Sequence, residues 1–386
     1  MRREPSSWTR GTNSATRVNA GGWDTLPALG HARRGLTLSL SKRQNLLYYA
    51  ELRSENTPCG TRDLKCCQAL QTGGPAREHI VPLLLSTDAE FLQHAAVCLT
   101  SLLVNNPKLF FDIVIVSRPI QDLDEEKLRR SLRRFSNYSL ALLKFEPPAN
   151  RLPLFEYTLD TWTRLWMEEF FPKDVDRVLY LDVDIVVVGG IASLWRTDLE
   201  GALLGAVDIP GGELVATMPG FRRDNGYFNA GVLIIDLKQW RDIRALETVL
   251  AYVDKYPDNL PNVDQDALNA CFHDRRKRLE YKWNVIRPFF REPSTLPLPR
   301  YELEVVCREA RIIHFNGSLK PWSYFSDHPR KDEYERYLRM TEWRDFVPPD
   351  RTPINIIRKG VAAILPNSVK GIFKTIGSRL QSLRAA

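Results

Sequence analysis

Arg177-Val178-Leu179-Tyr180-Leu181-Asp182-Val183-Asp184-Ile185-Val186-Val187-Val188-Gly189-Gly190 is the stretch on which the fold turns. Its first half is a nearly continuous apolar run, the pattern of a strand buried on both faces of a parallel sheet. Two carboxylates follow, two residues apart. Extended backbone alternates faces, so Asp182 and Asp184 are expected on one side. Open α/β sheets bind ligands at the carboxyl ends of their strands. Carboxylates converging there repel each other unless a cation lies between them. A divalent metal bridging a diphosphate suits that place, with a turn or helix cap as the alternative.

The same spacing recurs at Asp122/Asp124, Asp174/Asp176 and Asp264/Asp266. The first pair opens a helix and the second lies in a turn after Pro172, so only Asp182/Asp184 ends a buried strand. Working outward, 79–85 and 110–116 read as buried strands and 140–145 as a third, with helices expected over 91–105 and 124–135 between them. This alternation predicts an α/β sheet. A helix over 158–171 leads into the central strand. Further strands are expected at 202–207, 231–237 and 310–315, and further helices at 238–256, 264–271 and 332–346. Residues 79–350 thus read as one domain.

The 386 residues are 44% hydrophobic and 26% charged, within the globular range. No apolar run reaches the ~18–20 residues of a membrane span. Charge is uneven. Residues 1–78 carry 12 Lys/Arg against 6 Asp/Glu, residues 351–386 carry 7 against none, and 79–350 carry 35 against 41. A mildly acidic core argues against nucleic acid as partner. Residues 1–78 are rich in Gly, Ser, Thr, Asn and Arg, and read as a low-order basic extension. They lack the apolar segment of a secretory signal. Cys59, Cys66, Cys67, Cys98, Cys271 and Cys307 have no CxxC spacing, so a reducing, cytoplasmic setting is expected. Residues 351–386 form a basic tail. Val369, Ile372, Phe373, Ile376, Leu380 and Leu383 fall on one helical arc, which suits an anionic bilayer surface.

Three further motifs carry chemistry. His314-Phe315-Asn316-Gly317-Ser318-Leu319-Lys320-Pro321-Trp322 offers an imidazole, a glycine loop and a cation, or else an ordinary turn. Asn229, in Gly226-Tyr227-Phe228-Asn229-Ala230-Gly231, could meet a sugar hydroxyl or satisfy its own backbone. Asp264 and Asp266, in Asn262-Val263-Asp264-Gln265-Asp266, could simply open a helix.

In order along residues 80–346, these motifs resemble glycosyltransferase family 8, above all bacterial lipopolysaccharide galactosyl- and glucosyltransferases. The resemblance implies a GT-A (nucleotide-diphospho-sugar transferase) fold, a mostly parallel mixed sheet flanked by helices in a single catalytic domain. It implies retaining transfer of galactose or glucose from a UDP-sugar, with Mn²⁺ or alternatively Mg²⁺. By the same likeness Asp182, Asp184 and His314 are the metal ligands, and Gly317 and Lys320 hold the diphosphate. Arg164 binds the donor, and Asn229, Asp264 and Gln265 surround its sugar. Asp88 reads the uracil ring. Glu90 stands where the family often has Asn, and Trp162 where it commonly has Tyr. Asp208 is expected to face the acceptor.

Retention ordinarily calls for a carboxylate nucleophile. Gln265 stands at the matching place and is a poor one. Same-face internal return is therefore expected, rather than an adduct on Asp264. The expected acceptor is lipopolysaccharide or another surface glycan, reached from the cytoplasmic face of the inner membrane. A self-glucosylating polysaccharide initiator and a non-catalytic membrane-surface module are the alternatives.

Overall fold

The structure is a computed structural model and describes residues 80–155 and 157–364. The 1–78 extension, three of the cysteines and the apolar face expected at 369–383 lie outside the described residues. Four strands anticipated from apolar runs form, β1 (Ile80–Thr87), β2 (Phe110–Ser117), β3 (Tyr138–Lys144) and β4 (Arg177–Leu181), and β5 (Ile185–Val187) follows them. Between the first three lie α1 (Leu92–Asn105) and α2 (Asp122–Leu132). Every α1 residue from Leu92 to Leu103 is buried, so this helix is enclosed rather than half-solvated. Asp122, Asp124 and Glu125 fill the first turn of α2, where they complement the helix dipole.

Beyond the central strand come β6 (Leu204–Asp208), β7 (Phe228–Asp236), α3 (Leu237–Asp242), α4 (Ala245–Lys255), α5 (Val263–Phe272), β8 (Arg276–Arg278) and β9 (Val285–Ile286). They are followed by α6 (Arg300–Glu309), β10 (Ile312–His314), α7 (Lys331–Leu338) and α8 (Pro353–Ile364). The main sheet runs β3-β2-β1-β4-β7-β6-β8. Pairings among β1 to β4 are parallel, while β7 is antiparallel to both β4 and β6. The mostly parallel mixed sheet flanked by helices is therefore present. A second, three-stranded sheet runs β5-β10-β9.

Several elements differ from expectation. The helix over 158–171 is a 3₁₀ stretch (Leu159–Trp166) followed by a single α turn, Met167–Phe170. The helix over 238–256 is two helices, broken at Arg244, whose φ of 53° lies in the left-handed region. The helix over 332–346 ends at Leu338. The short strands β8 and β9 and the helix α6 had no sequence signal strong enough to single them out. Asp182 and Asp184 lie in a bend between β4 and β5, so the bend, rather than strand alternation, brings them together.

One irregularity matters for function. Along β6 and β7 the register runs Ala206↔Leu233 and then Val207↔Asn229, so Ala230, Gly231 and Val232 bulge out of the ladder. Bulges beside active sites free backbone groups and re-aim side chains.

Candidate active site

Strand order explains the convergence of residues. His314 pairs with Ile185, one residue past Asp184, and the Phe315 N–H donates to the Asp184 carbonyl at 2.9 Å. On the other side, Asp182 N–H donates to Gly231 O at 2.8 Å, continuing the β4–β7 ladder past its last pair. His314 Nε2 consequently lies 3.1 Å from Asp184 Oδ1 and 3.6 Å from Asp182 Oδ2. One ligand atom from each of the three residues falls within 4.8 Å of the others. Among the described residues this is the only such cluster of His, Cys, Asp or Glu. Gly231 is required here. A Cβ on it would lie 2.3 Å from the His314 ring and 2.7 Å from Asp182 Oδ2.

The donor set fits a divalent cation. Two carboxylates with an imidazole suit Mn²⁺ better than Mg²⁺, which favours oxygen ligands alone. The carboxylates already depend on positive charge. Burial by itself would raise the Asp184 carboxyl, yet Lys320 and His314 hold it well below the ordinary carboxylate range. Lys320 Nζ donates to Asp184 Oδ2 and, at 3.2 Å, to Phe315 O. The diphosphate-holding lysine of the sequence reading is thus paired with a metal-site carboxylate here.

The loop carrying Lys320 is tightly fixed. Trp322 stacks on His94 of α1 with centroids 3.4 Å apart and planes 13° apart, and packs against Phe91 and Tyr334. Arg287 braces the other end: its N–H donates to Asn316 Oδ1 at 2.9 Å and its guanidinium to Leu319 O at 3.0 Å. Gly317 adopts φ 90°, a conformation that disfavours any side chain. Arg287 and His94 were not picked out from the sequence.

Asp182 divides its two oxygens. Oδ2 faces His314, whereas Oδ1 accepts from Tyr180 Oη at 2.8 Å and lies 2.9 Å from Arg164 Nη2. Arg164 is buried. It stacks over the Tyr180 ring, donates to Ala230 O at 2.6 Å, and lies 2.9 Å from Asp264 Oδ2. Its Nε–H is aimed at Thr161 O, so its bond to Asp264 is Coulombic rather than an aligned hydrogen bond. Burial pushes the Asp264 carboxyl up to about 7, with Arg164 opposing and Asp182 adding to the rise. Arg164, expected to bind the donor, thus also joins Asp182, Asp264 and the β7 bulge.

Gln265 follows Asp264 on the first turn of α5, where Val263 is forced to φ 44°. Its Oε1 accepts from Ala230 N–H at 3.0 Å and Asn229 Nδ2 at 2.9 Å, and its Nε2 donates to Tyr227 Oη at 2.9 Å. Asn229 does satisfy local backbone, since its Oδ1 accepts from Gly231 N–H at 3.0 Å. Asp266 reaches back to Asn262 N–H at 2.6 Å, the helix-opening role anticipated for this pair. Asn269 pins α5 to β7 by bonding both Phe228 N–H and Phe228 O at 2.9 Å.

Asp88 follows β1, which runs parallel to β4 in the same sheet. Its Oδ1 accepts from Phe91 N–H at 2.9 Å, and its Oδ2 is 4.0 Å from Arg118, which pairs with Asp160 at 2.9 Å. Glu90 is exposed. Trp162 is fully buried and donates to Pro153 O at 2.9 Å. Asp208, at the end of β6, is paired with Arg276 and Arg278.

Comparison with known proteins agrees with this geometry. The glycosyl transferase family 8 profile matches residues 82–326. General stress protein A of Bacillus subtilis (strain 168) is 34% identical over 176 residues, 44% of this chain and 61% of that protein. Lipopolysaccharide 1,2-glucosyltransferase of Escherichia coli (strain K12) is 27% identical over 284 residues, 70% of this chain and 81% of the relative. Among solved structures, the galactosyltransferase LgtC, in complex with donor and acceptor sugar analogues, superposes with a TM-score of 0.60 at 23% identity, covering 70% of this chain and 98% of LgtC. The bifunctional glycosyltransferase WbbM gives 0.58 at 20% identity, over 70% and 52% of the two chains. The fold is therefore GT-A, as the motifs implied. With a family match over most of the described residues and the Asp182–Asp184–His314 cluster at the strand ends, the chain belongs to glycosyl transferase family 8.

Proposed function

We propose that the chain is a retaining hexosyltransferase that moves galactose or glucose from a UDP-sugar to a saccharide acceptor, with Mn²⁺ bound by Asp182, Asp184 and His314. The carrying observation is that these three residues converge beside Lys320, so four charged or metal-ligating groups meet at the strand ends. When bound, the metal supplies positive charge against the diphosphate as the sugar–phosphate bond breaks. Lys320 adds a second cation on a fixed loop, and the Gly317 backbone allows close approach of phosphate oxygens. Asp88 and Arg118 stand at the nucleotide end.

Gln265 faces the sugar with a neutral amide whose oxygen already accepts two hydrogen bonds. Asp264 is buried against Arg164. Neither is disposed to attack the anomeric carbon. Same-face return follows: the bond from C1 to the UDP oxygen breaks, the acceptor oxygen bonds C1 from that side, and its proton passes to the departing UDP. Arg164 and Asp264 act by holding Asp182. The test is a screen of UDP-sugars with Mn²⁺ and released UDP as readout. Turnover with a UDP-hexose, abolished in Asp182→Ala, is expected. No turnover with any UDP-sugar, or full turnover in the variant, would refute the proposal.

The acceptor we propose is lipopolysaccharide or a related lipid-linked surface glycan, met at the cytoplasmic face of the membrane. No helix among the described residues is long and apolar enough to cross one. Support for surface binding comes from α8, where Ile354, Ile357 and Val361 are exposed at helical spacing beside Arg358 and Lys359. Lys359 anchors this helix to the Lys320 loop through Tyr324 O and the Tyr324 ring.

A further inference from the structure

Asn284 was not singled out from the sequence, yet it is 1% exposed and touches both halves of the site. Its Nδ2 donates to Asn229 Oδ1 at 2.7 Å, and its Oδ1 lies 3.0 Å from His314 Nδ1. Asn229 in turn donates to Gln265, Gln265 to Tyr227, and Tyr227 to Asp266 at 2.5 Å. The polarity of this chain is fixed at several points. Asp266, when ionised, can only accept, so Tyr227 donates to it and accepts from Gln265 Nε2. The Ala230 and Gly231 N–H groups, freed by the β7 bulge, can only donate. They identify the oxygen ends of Gln265 and Asn229 without ambiguity. Asn229 Oδ1 therefore demands the NH₂ end of Asn284. The carbonyl of Asn284 must then face His314, and it needs a proton on Nδ1.

We infer that Asn284 is a positioning residue that holds a proton on His314 Nδ1 and so turns Nε2 toward Asp182 and Asp184, with the orientation of its amide set by the Gln265–Asn229 amides. The inference builds on the proposed metal-dependent function, because Nε2 is the atom that would bind the ion. Outer partners of this kind set ring orientation and ligand strength at metal sites. Here the partner is shared with the amides around the sugar, so disturbance of the Gln265 amide reaches the imidazole through three hydrogen bonds.

The test uses the full chain with two variants and two readouts. Nitrogen-15 NMR of the histidine-labelled, metal-free protein should find His314 Nδ1 protonated, and Asn284→Ala should lose that signature. Titration with Mn²⁺ alone should show about 10–100-fold weaker binding in Asn284→Ala. Asn284→Asp keeps an acceptor for Nδ1–H and should bind Mn²⁺ at least as tightly as the parent, although it loses the donor to Asn229. A merely structural role would weaken both variants together, and thermal unfolding of the metal-free proteins monitors that. An unprotonated Nδ1 in the parent, or Mn²⁺ binding in Asn284→Ala equal to the parent's, overturns the inference. Should the parent bind no Mn²⁺ at all, the functional proposal fails, while the NMR result still decides the role of Asn284.

Discussion

Asp184 and Asp264 flank Asp182, each largely buried and each beside a cation, yet their carboxyls are driven in opposite directions. Asp184 receives directed contacts from Lys320 and His314 that outweigh its burial, and it stays ionised. Asp264 has one cation, Arg164, whose charge is shared with Asp182 and whose Nε–H points elsewhere. Burial prevails, and its carboxyl rises to about 7. A directed hydrogen bond from a cation not shared with another carboxylate, here Lys320, counts for more than proximity of charge in keeping a buried carboxylate charged. The first arrangement suits a residue that must offer lone pairs to an ion, the second a residue that holds its neighbours in place.

The contrast can be broken most severely at Arg164. Arg164→Ala leaves Asp182 and Asp264 without their buried partner and should cost about 3–5 kcal/mol in denaturant unfolding. A loss under 1 kcal/mol would mean that the brace is not structural. Asp184→Asn should instead spare most of the stability and lower UDP release by about 10²–10³-fold. A variant that unfolds as readily as the Arg164 one would show the two regions to be alike.

The pH dependence sharpens the difference further. Asp264 has a folded pKa above its ordinary 3.8, so its protonated form favours the folded state. Its contribution is most favourable below about pH 4 and declines as pH rises toward 7. Asp184, depressed, contributes stability that is present above about pH 4 and lost as pH falls further. Stability measured without metal from pH 5 to 7 should therefore shift in favour of Asp264→Asn over the parent, by on the order of 2 kcal/mol. A pH-independent difference between the two proteins would remove the assignment. Least disturbing to either region is replacement of Ile354, Ile357 and Val361 by Gln. Binding to anionic vesicles should fall roughly fivefold or more while UDP release on a short acceptor holds within twofold. Unchanged partitioning would take α8 out of the membrane proposal.

Much of this was readable in one dimension. The apolar run into Asp182 and Asp184 marks a buried strand because burial on both faces leaves no polar positions. The glycine in the His314 loop and the acids opening α2 and α5 follow from local backbone chemistry. Those signals placed the α/β core and put Asp182 and Asp184 at the end of its central strand; His314 joined them as an expected ligand only through the likeness to family 8. Other features depend on which chain segments meet, and local periodicity carries no record of that. Lys320 meets Asp184 across 136 residues, Arg164 meets Ala230 across 66, and Asn284 meets His314 across 30. The β7 bulge that frees the Ala230 and Gly231 N–H groups exists only against β6, and the need for glycine at 231 arises only once His314 arrives beside it. The amino-acid order determined the sheet and its charged ends. Tertiary packing alone decided which carboxylate stays ionised and which nitrogen of His314 faces it, because both depend on hydrogen-bond partners drawn from distant strands.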